Sequence, residues 1–496
     1  MGRALMIQGT ASSVGKSMTV AALCRIYHRR GIRVAPFKAQ NMSNNAAVTP
    51  DGGEIGRAQA LQAIAAGLEP RVEMNPILLK PETDSRSQVI VLGKVWKSLR
   101  AGEFYGEKEY LWQVVTKSLD QLLSTYELVI IEGAGSPVEL NLRSGDIVNM
   151  EVAKYAKAPV ILVGDIERGG IFAQLLGTLW LLPPEERKLV TGLIVNKFRG
   201  EETLFREGVK ILENRSGVPV LGVVHYVQGL GLPEEDAATI ENTGNATGGI
   251  SIAVIHLPHI SNFDDFDPLD SESGVEIRFV GPQEKLDDFS AVVIPGTKST
   301  MADAAWMRRN GLFERIVDFR KKGGKVLGIC GGYQILGRVI RDPLHIESRE
   351  DRTEGIGLLP TETIFSERKV TARVEALIMP GLPEWLSDLG GVKMHGYEIH
   401  NGYTVGNRPW VRIMNRNGTS IEIESGDVSV DGRVLGTYLH GIFENERFRH
   451  SWLQSLGWAK HFAMPEVYSV ERRLDFLAEH FEESLDMKAL DSIIGL

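Results

Sequence analysis

Short apolar runs recur along this chain, and stretches of helical periodicity separate them. Residues 4–8, 33–37, 128–132, 160–164 and 192–196 are such runs, with helical patterns at 16–29, 57–66 and 111–124. Strands of this kind, buried on both faces by the intervening helices, form a parallel sheet. Residues 219–224 read as its last strand. From Pro233 to Gly249 the composition turns small and polar, as in a linker. The pattern then restarts at 250–255, 275–280, 291–295, 325–330 and 434–439. We therefore expect two α/β domains, at 1–235 and 251–496, joined by a linker at 236–250. Residues 361–374 and 410–428 suggest an antiparallel extension, and 472–496 terminal helices.

The first half carries a phosphate-binding turn, Gly9-Thr-Ala-Ser-Ser-Val-Gly-Lys-Ser17, between a strand and a helix. Gly9, Thr10, Val14 and Gly15 shape a backbone whose N–H groups face phosphate. Lys16 can reach the outer phosphates, and the Ser17 hydroxyl suits magnesium. Five residues separate the two glycines, where the common motif has four. The run Leu128-Val-Ile-Ile-Glu132 delivers Glu132 to the sheet's carboxyl edge as a second oxygen ligand for Mg2+. Glu54, in Gly53-Glu-Ile-Gly56, is a further candidate ligand. Lys38 ends the second strand, where it can meet phosphate or a substrate carboxylate. Asn196 ends another and suits an adenine edge, so ATP is the expected nucleotide.

In the second half, Lys325-Val-Leu-Gly-Ile-Cys-Gly-Gly-Tyr333 puts a thiol at a sharp strand-to-helix corner. A lone cysteine is commonly a small core residue, but glycines at 328, 331 and 332 favour a strained elbow that presents Cys330 as a nucleophile. Gly331 and Gly296, both just beyond strand ends, suit the backbone donors of an oxyanion hole. Among eleven histidines, His440 is the best acid and base, because it closes a β-patterned run far along the chain.

The bulk properties narrow the setting. The net charge is −9 with no compensating basic stripe, which argues against nucleic acid as a partner. Two cysteines, Cys24 and Cys330, make no disulfide framework and point to a reducing compartment. No apolar run approaches membrane-spanning length. A cytoplasmic protein without a signal peptide is expected.

These residues carry a resemblance. The first half resembles the dethiobiotin-synthetase-type ATPases, which share the Gly-Thr-x-x-x-Val-Gly-Lys-Ser/Thr loop and a Val-Glu-Gly-Ala-Gly strand end. The second resembles a class I glutamine amidotransferase with a Cys-His centre. Their order is similar to that in the cobyric acid synthase family. So are Lys38-Ala-Gln-Asn-Met-Ser-Asn-Asn45, Gly53-Glu-Ile-Gly-Arg-Ala-Gln-Ala60, Met74-Asn-Pro-Ile-Leu-Leu-Lys-Pro81, the stretch from Ser136 to Asn149 and His395-Gly-Tyr-Glu-Ile-His400. The resemblance implies ATP- and glutamine-dependent amidation of four carboxylates (b, d, e and g) of the corrin adenosylcobyrinic acid a,c-diamide. Ammonia released at Cys330 would displace phosphate from an acyl phosphate. Ammonia protonates readily in water, so a shielded path for it is expected.

The resemblance also exposes a gap. Such amidotransferases usually place Glu two residues after the histidine, and here Ile442 stands there. Glu444 or a backbone carbonyl are the substitutes on offer, which leaves the third member unassigned and suggests slow or partner-gated glutaminase activity. Three other readings stay open: cobyrinic acid a,c-diamide synthase, a ligase for another polycarboxylate such as a cell-wall lipid precursor, and a partition-type ATPase switch with an inert second domain. The last expects an extra lysine near the first glycine of the loop, where Gln8 stands.

Overall fold

The computed structural model describes residues 2–83, 86–227, 232, 249–459 and 470–496. The chain forms two compact units. One comprises Met1–Ser43, Ile55–Leu232 and Glu466–Leu496; the other comprises Asn44–Glu54 and Pro233–Pro465.

The first unit is built on a six-stranded parallel sheet. Its order is Val220–His225, Val190–Phe198, Val160–Asp165, Arg3–Gly9, Leu128–Glu132 and Val34–Phe37. Two neighbouring strands of this sheet, Arg3–Gly9 and Leu128–Glu132, are in register with Ile7 opposite Glu132. Their carboxyl ends therefore bring the phosphate turn and Glu132 to one edge, where open parallel sheets bind ligands. A four-stranded sheet of Gln40–Met42, Ile77–Thr83, Arg86–Val91 and Lys94–Arg100 is added to this unit.

The second unit repeats the plan. Val275–Val280, Ile250–Ile255, Ala291–Ile294, Lys325–Ile329 and Val434–Thr437 lie side by side in parallel, with Asp427–Val428 antiparallel at the edge. A second sheet of this unit joins Glu362–Ile378 antiparallel to Lys393–Val405 and to Val411–Arg416, which pairs with Thr419–Ser425. The antiparallel extension expected at 361–374 and 410–428 is present in Glu362–Ile378, Val411–Arg416 and Thr419–Ser425, with Lys393–Val405 as an additional strand, whereas Asp427–Val428 joins the first sheet of this unit.

Two segments depart from the expected domain limits. The terminal helices Val470–Ser484 and Met487–Ile494 belong to the first unit, not the second. Leu474, Leu477, Ala478 and Phe481 form an apolar stripe at helical spacing, buried in one core with Leu23 and Cys24 of the helix Lys16–Arg29. Arg25 pairs with Asp475 at 2.8 Å and Arg30 with Glu482 at 2.6 Å along its margin. A stripe of this kind announces burial but does not name its partner. Conversely, Asn44–Glu54 lies in the first half of the sequence yet is part of the second unit. Arg373 Nε donates to the Val48 carbonyl at 2.8 Å, and Asn262 Nδ2 to the Ala46 carbonyl at 2.8 Å. Of the expected linker at 236–250, residues 236–248 lie outside the described residues.

Candidate active sites

The phosphate turn folds as its glycines require. Gly15 has φ 98° and caps the helix Lys16–Arg29; a Cβ there would stand 2.1 Å from Asn196 Nδ2. Lys16 Nζ donates to the carbonyls of Ala11 at 2.8 Å and Gly135 at 3.2 Å, so the turn and the loop after Glu132 share one ammonium. Thr10 donates to Gln174 at 3.1 Å. Gly9 and Val14 pack together, since a Cβ on Gly9 would meet the Val14 side chain at 2.6 Å.

Glu132 is the electrostatic centre of this edge. Its Oε1 accepts from Ser17 Oγ at 2.8 Å and Lys38 Nζ at 2.9 Å; its Oε2 accepts from Gln59 at 3.3 Å and Gln62 at 2.5 Å. Burial raises the cost of its charge, but Lys38 and the surrounding donors outweigh that cost and hold the carboxyl below its usual range. The Ser17 hydroxyl and the Glu132 carboxylate are the hard oxygen donors that magnesium favours. Gln62 Oε1 is buried there with no hydrogen-bond donor among the described residues, an acceptor that suits a metal-bound water. The donor set therefore fits Mg2+.

Three further expected residues have partners in this structure. Glu54 belongs to the second unit and forms an ion pair with Lys369 at 2.5 Å, as a buried carboxylate needs a partner. Lys38 pairs with Glu132 at 2.9 Å. Asn196 Nδ2 donates to the Val14 carbonyl at 2.9 Å. Lys197 beside it donates to the Ser13 carbonyl at 2.8 Å and pairs with Asp165 at 3.2 Å. This strand end braces the phosphate turn.

In the second unit, the strands Lys325–Ile329 and Val434–Thr437 are parallel neighbours, so Cys330 and His440 emerge at the same sheet edge. Cys330 has φ 53° and ψ −110° and caps the short helix Gly331–Leu336, the strained corner its glycines announce. Close approach explains those glycines. A Cβ on Gly332 would lie 1.9 Å from the Ile294 carbonyl oxygen, and one on Gly331 2.6 Å from the Thr297 side chain. The Cys330 thiol donates to the Ile399 carbonyl at 3.3 Å. A Cβ on Gly296 would stand 3.1 Å from His440 Cε1, so both expected oxyanion glycines flank the Cys-His pair.

The missing third member is Asp265, on the helical turn Phe263–Phe266. His440 Nδ1 donates to Asp265 Oδ2 at 2.7 Å, and the Gly441 N–H donates to Asp265 Oδ1 at 2.7 Å. Burial opposes a charged imidazole, but Asp265 and the hydrogen-bonded Cys330 outweigh it and raise the ring's pKa to about 10. The gap at Ile442 is thus filled from 175 residues upstream. A carboxylate–imidazole–thiol array with all three members buried can carry covalent acyl chemistry.

The region 251–448 matches a CobB/CobQ-like glutamine amidotransferase domain, and 5–240 a CobQ/CobB/MinD/ParA nucleotide-binding domain. The chain is 53% identical to the cobyric acid synthase of Roseiflexus castenholzii, over 98% of this chain and 97% of that one. It is 54% identical to that of Chloroflexus aggregans, over 99% of each, and 47% identical to that of Moorella thermoacetica, over 100% of this chain and 98% of the relative. The chain belongs to the cobyric acid synthase family. This membership favours the cobyric acid synthase reading over the a,c-diamide synthase and the partition switch.

The structure also adds residues around Cys330 to which the sequence of this member of the cobyric acid synthase family gave no role. His400 stacks on Tyr438 with ring centres 3.8 Å apart and bonds the Gly402 carbonyl through Nδ1. Burial, helped by the positive charge of Arg416, depresses His400 to about 3, so its ring stays neutral. Glu398 pairs with Arg416 at 2.7 Å. The motif His395-Gly-Tyr-Glu-Ile-His400 contains Glu398 and His400 but carried no role for them until the strand was placed.

Proposed function

We propose that this protein is a glutamine-hydrolysing, ATP-dependent amidoligase that acts as a cobyric acid synthase, converting four carboxylates of adenosylcobyrinic acid a,c-diamide to amides. The observation that carries the reading is the Cys330–His440–Asp265 array in a chain that also holds a phosphate turn with Ser17 and Glu132 converging. Relatives that carry this name over their full length support the choice of acceptor.

The Cys330 thiol passes its proton to His440 and the thiolate attacks the side-chain amide carbon of glutamine, the oxyanion being taken by the backbone N–H groups of Gly331 and Gly296. His440, held protonated by Asp265, gives its proton to the departing nitrogen, and ammonia leaves. Water then hydrolyses the thioester to glutamate with His440 as base. In the first unit Lys16 faces the transferring phosphoryl group as a corrin carboxylate displaces ADP from ATP. Ammonia replaces phosphate in the acyl phosphate, giving amide and inorganic phosphate. Magnesium, when bound through Ser17 and Glu132, would neutralise phosphate charge.

The test is mass spectrometry after incubation with ATP, glutamine and the corrin diamide. Four successive losses of one mass unit, each an OH replaced by NH2, are expected. Glutamine hydrolysis with no change in the corrin would overturn the reading. Cys330→Ala should abolish glutamine use and retain amidation with ammonium salts.

A further inference from the structure

The carboxylate at Nδ1 holds the edge of the His440 ring, and a second set of residues holds its face. Tyr397 stacks on the imidazole with ring centres 5.1 Å apart and planes inclined by 14°. The two backbones are tied as well: the His440 N–H donates to the Tyr397 carbonyl at 2.9 Å, and the Tyr397 N–H to the His440 carbonyl at 3.2 Å. The Tyr397 hydroxyl accepts from Asn262 Nδ2 at 2.7 Å, and the same amide donates to the Ala46 carbonyl at 2.8 Å. Asn262 has φ 52°, a left-handed conformation that asparagine tolerates better than most residues. Its carbonyl accepts the Asp265 N–H at 3.1 Å, so one turn presents both Asn262 and Asp265.

We propose that Tyr397 and Asn262 are positioning residues for His440, clamping the face of the imidazole while Asp265 clamps its edge. An aromatic face carries negative charge density and stabilises a cation stacked on it, so the clamp favours the imidazolium as well as its orientation. The anchor for Asn262 is the Ala46 carbonyl, 216 residues upstream. The support of the glutaminase centre therefore extends beyond the matched amidotransferase region into the segment Asn44–Glu54 of the same unit. The inference rests on the glutaminase reading of Cys330. The other titratable groups around His440 are Cys330, Asp265, Glu398 and the neutral His400. Tyr397→Phe and Asn262→Gly leave all of these in place.

The experiment compares the full-length wild type with Tyr397→Phe, which keeps the stack and loses the hydroxyl, and Asn262→Gly, which keeps the left-handed turn and loses the amide. We expect glutamine-dependent kcat to fall about 3- to 10-fold in the first and 10- to 50-fold in the second, with KM for glutamine within 2-fold. The alkaline limb of the pH profile should move to lower pH, and amidation with ammonium salts should stay within 2-fold. Alkylation of Cys330 by iodoacetamide should slow in the same order; it reads the clamp even if the corrin is not the acceptor. Unchanged kcat and unchanged pH profile overturn the proposal. So does an equal fall with glutamine and with ammonia, which marks a general structural defect.

Discussion

Asp265→Asn isolates the contribution of the buried carboxylate. Both oxygens of Asp265 accept, one from His440 Nδ1 and one from the Gly441 N–H, each at 2.7 Å. Asparagine fills the same volume but offers one acceptor, so its NH2 must face one of two donors. Two unit charges 2.7 Å apart attract by about 6 kcal/mol at an effective dielectric of about 20. Desolvation cancels part of this, and breaking buried pairs typically costs about 3–5 kcal/mol. At about 1.36 kcal/mol per tenfold, a loss of about 3–4 kcal/mol lowers glutamine-dependent kcat about 10²- to 10³-fold. The pH dependence has a definite sign. Burial disfavours the imidazolium, and in the wild type Asp265 and Cys330 raise it to about 10. Without the carboxylate burial is less opposed, the ring loses its proton at lower pH, and the alkaline limb of kcat/KM moves down. The assay is glutamate release and corrin amidation from pH 6 to 10, with ammonium salts as the parallel nitrogen source. A variant that keeps glutamine-dependent kcat within 3-fold, with an unmoved alkaline limb, refutes the role given to Asp265.

Glu132→Gln removes the charge that Lys38 pairs with and weakens the magnesium site, so amidation with glutamine and with ammonia should fall together by about 10²-fold or more; survival of the ammonia-dependent reaction would count against this placement. Because burial depresses His400 to about 3, the folded state binds fewer protons than the unfolded chain between about 3 and 6.5. Its neutral form stabilises the fold above 6.5, and this contribution is lost as pH falls through that window. The difference in Tm between wild type and His400→Gln should shrink on acidification, and a constant difference would contradict it. Phe481→Ala, in the tail that packs against the Lys16–Arg29 helix, should cost about 3–5 kcal/mol and lower the unfolding transition that ATP shifts. Loss confined to the transition of the other unit would reverse the tail's assignment.

The parts legible in the sequence are those that backbone sterics and short-range pattern dictate. Two runs of alternating strand and helix specified two parallel sheets, because a strand buried on both faces reads as an uninterrupted apolar run. The helix Lys16–Arg29 starts and ends where its pattern does. Gly15 and the glycines around Cys330 announced their turns, since only a residue without Cβ fits where Asn196 or the Ile294 carbonyl approaches so closely. Cys330 and His440 could be chosen because each closes a strand, and parallel strands deliver their ends to one edge.

What the tertiary structure decided is which distant side chains meet. Asp265 lies in a stretch with other acids, Asp264, Asp267 and Asp270, and nothing local distinguishes it; the fold of the Phe263–Phe266 turn places it against His440. Glu54 and Asn196 stand out by residue type and position, but that Lys369 and the Val14 carbonyl partner them is visible only in the fold. A buried polar group takes whatever partner the topology brings within hydrogen-bond reach. The same holds for whole segments: Val470–Ser484 carries a clear helical pattern, but which core buries it, and which unit takes Asn44–Glu54, depends on contacts hundreds of residues away.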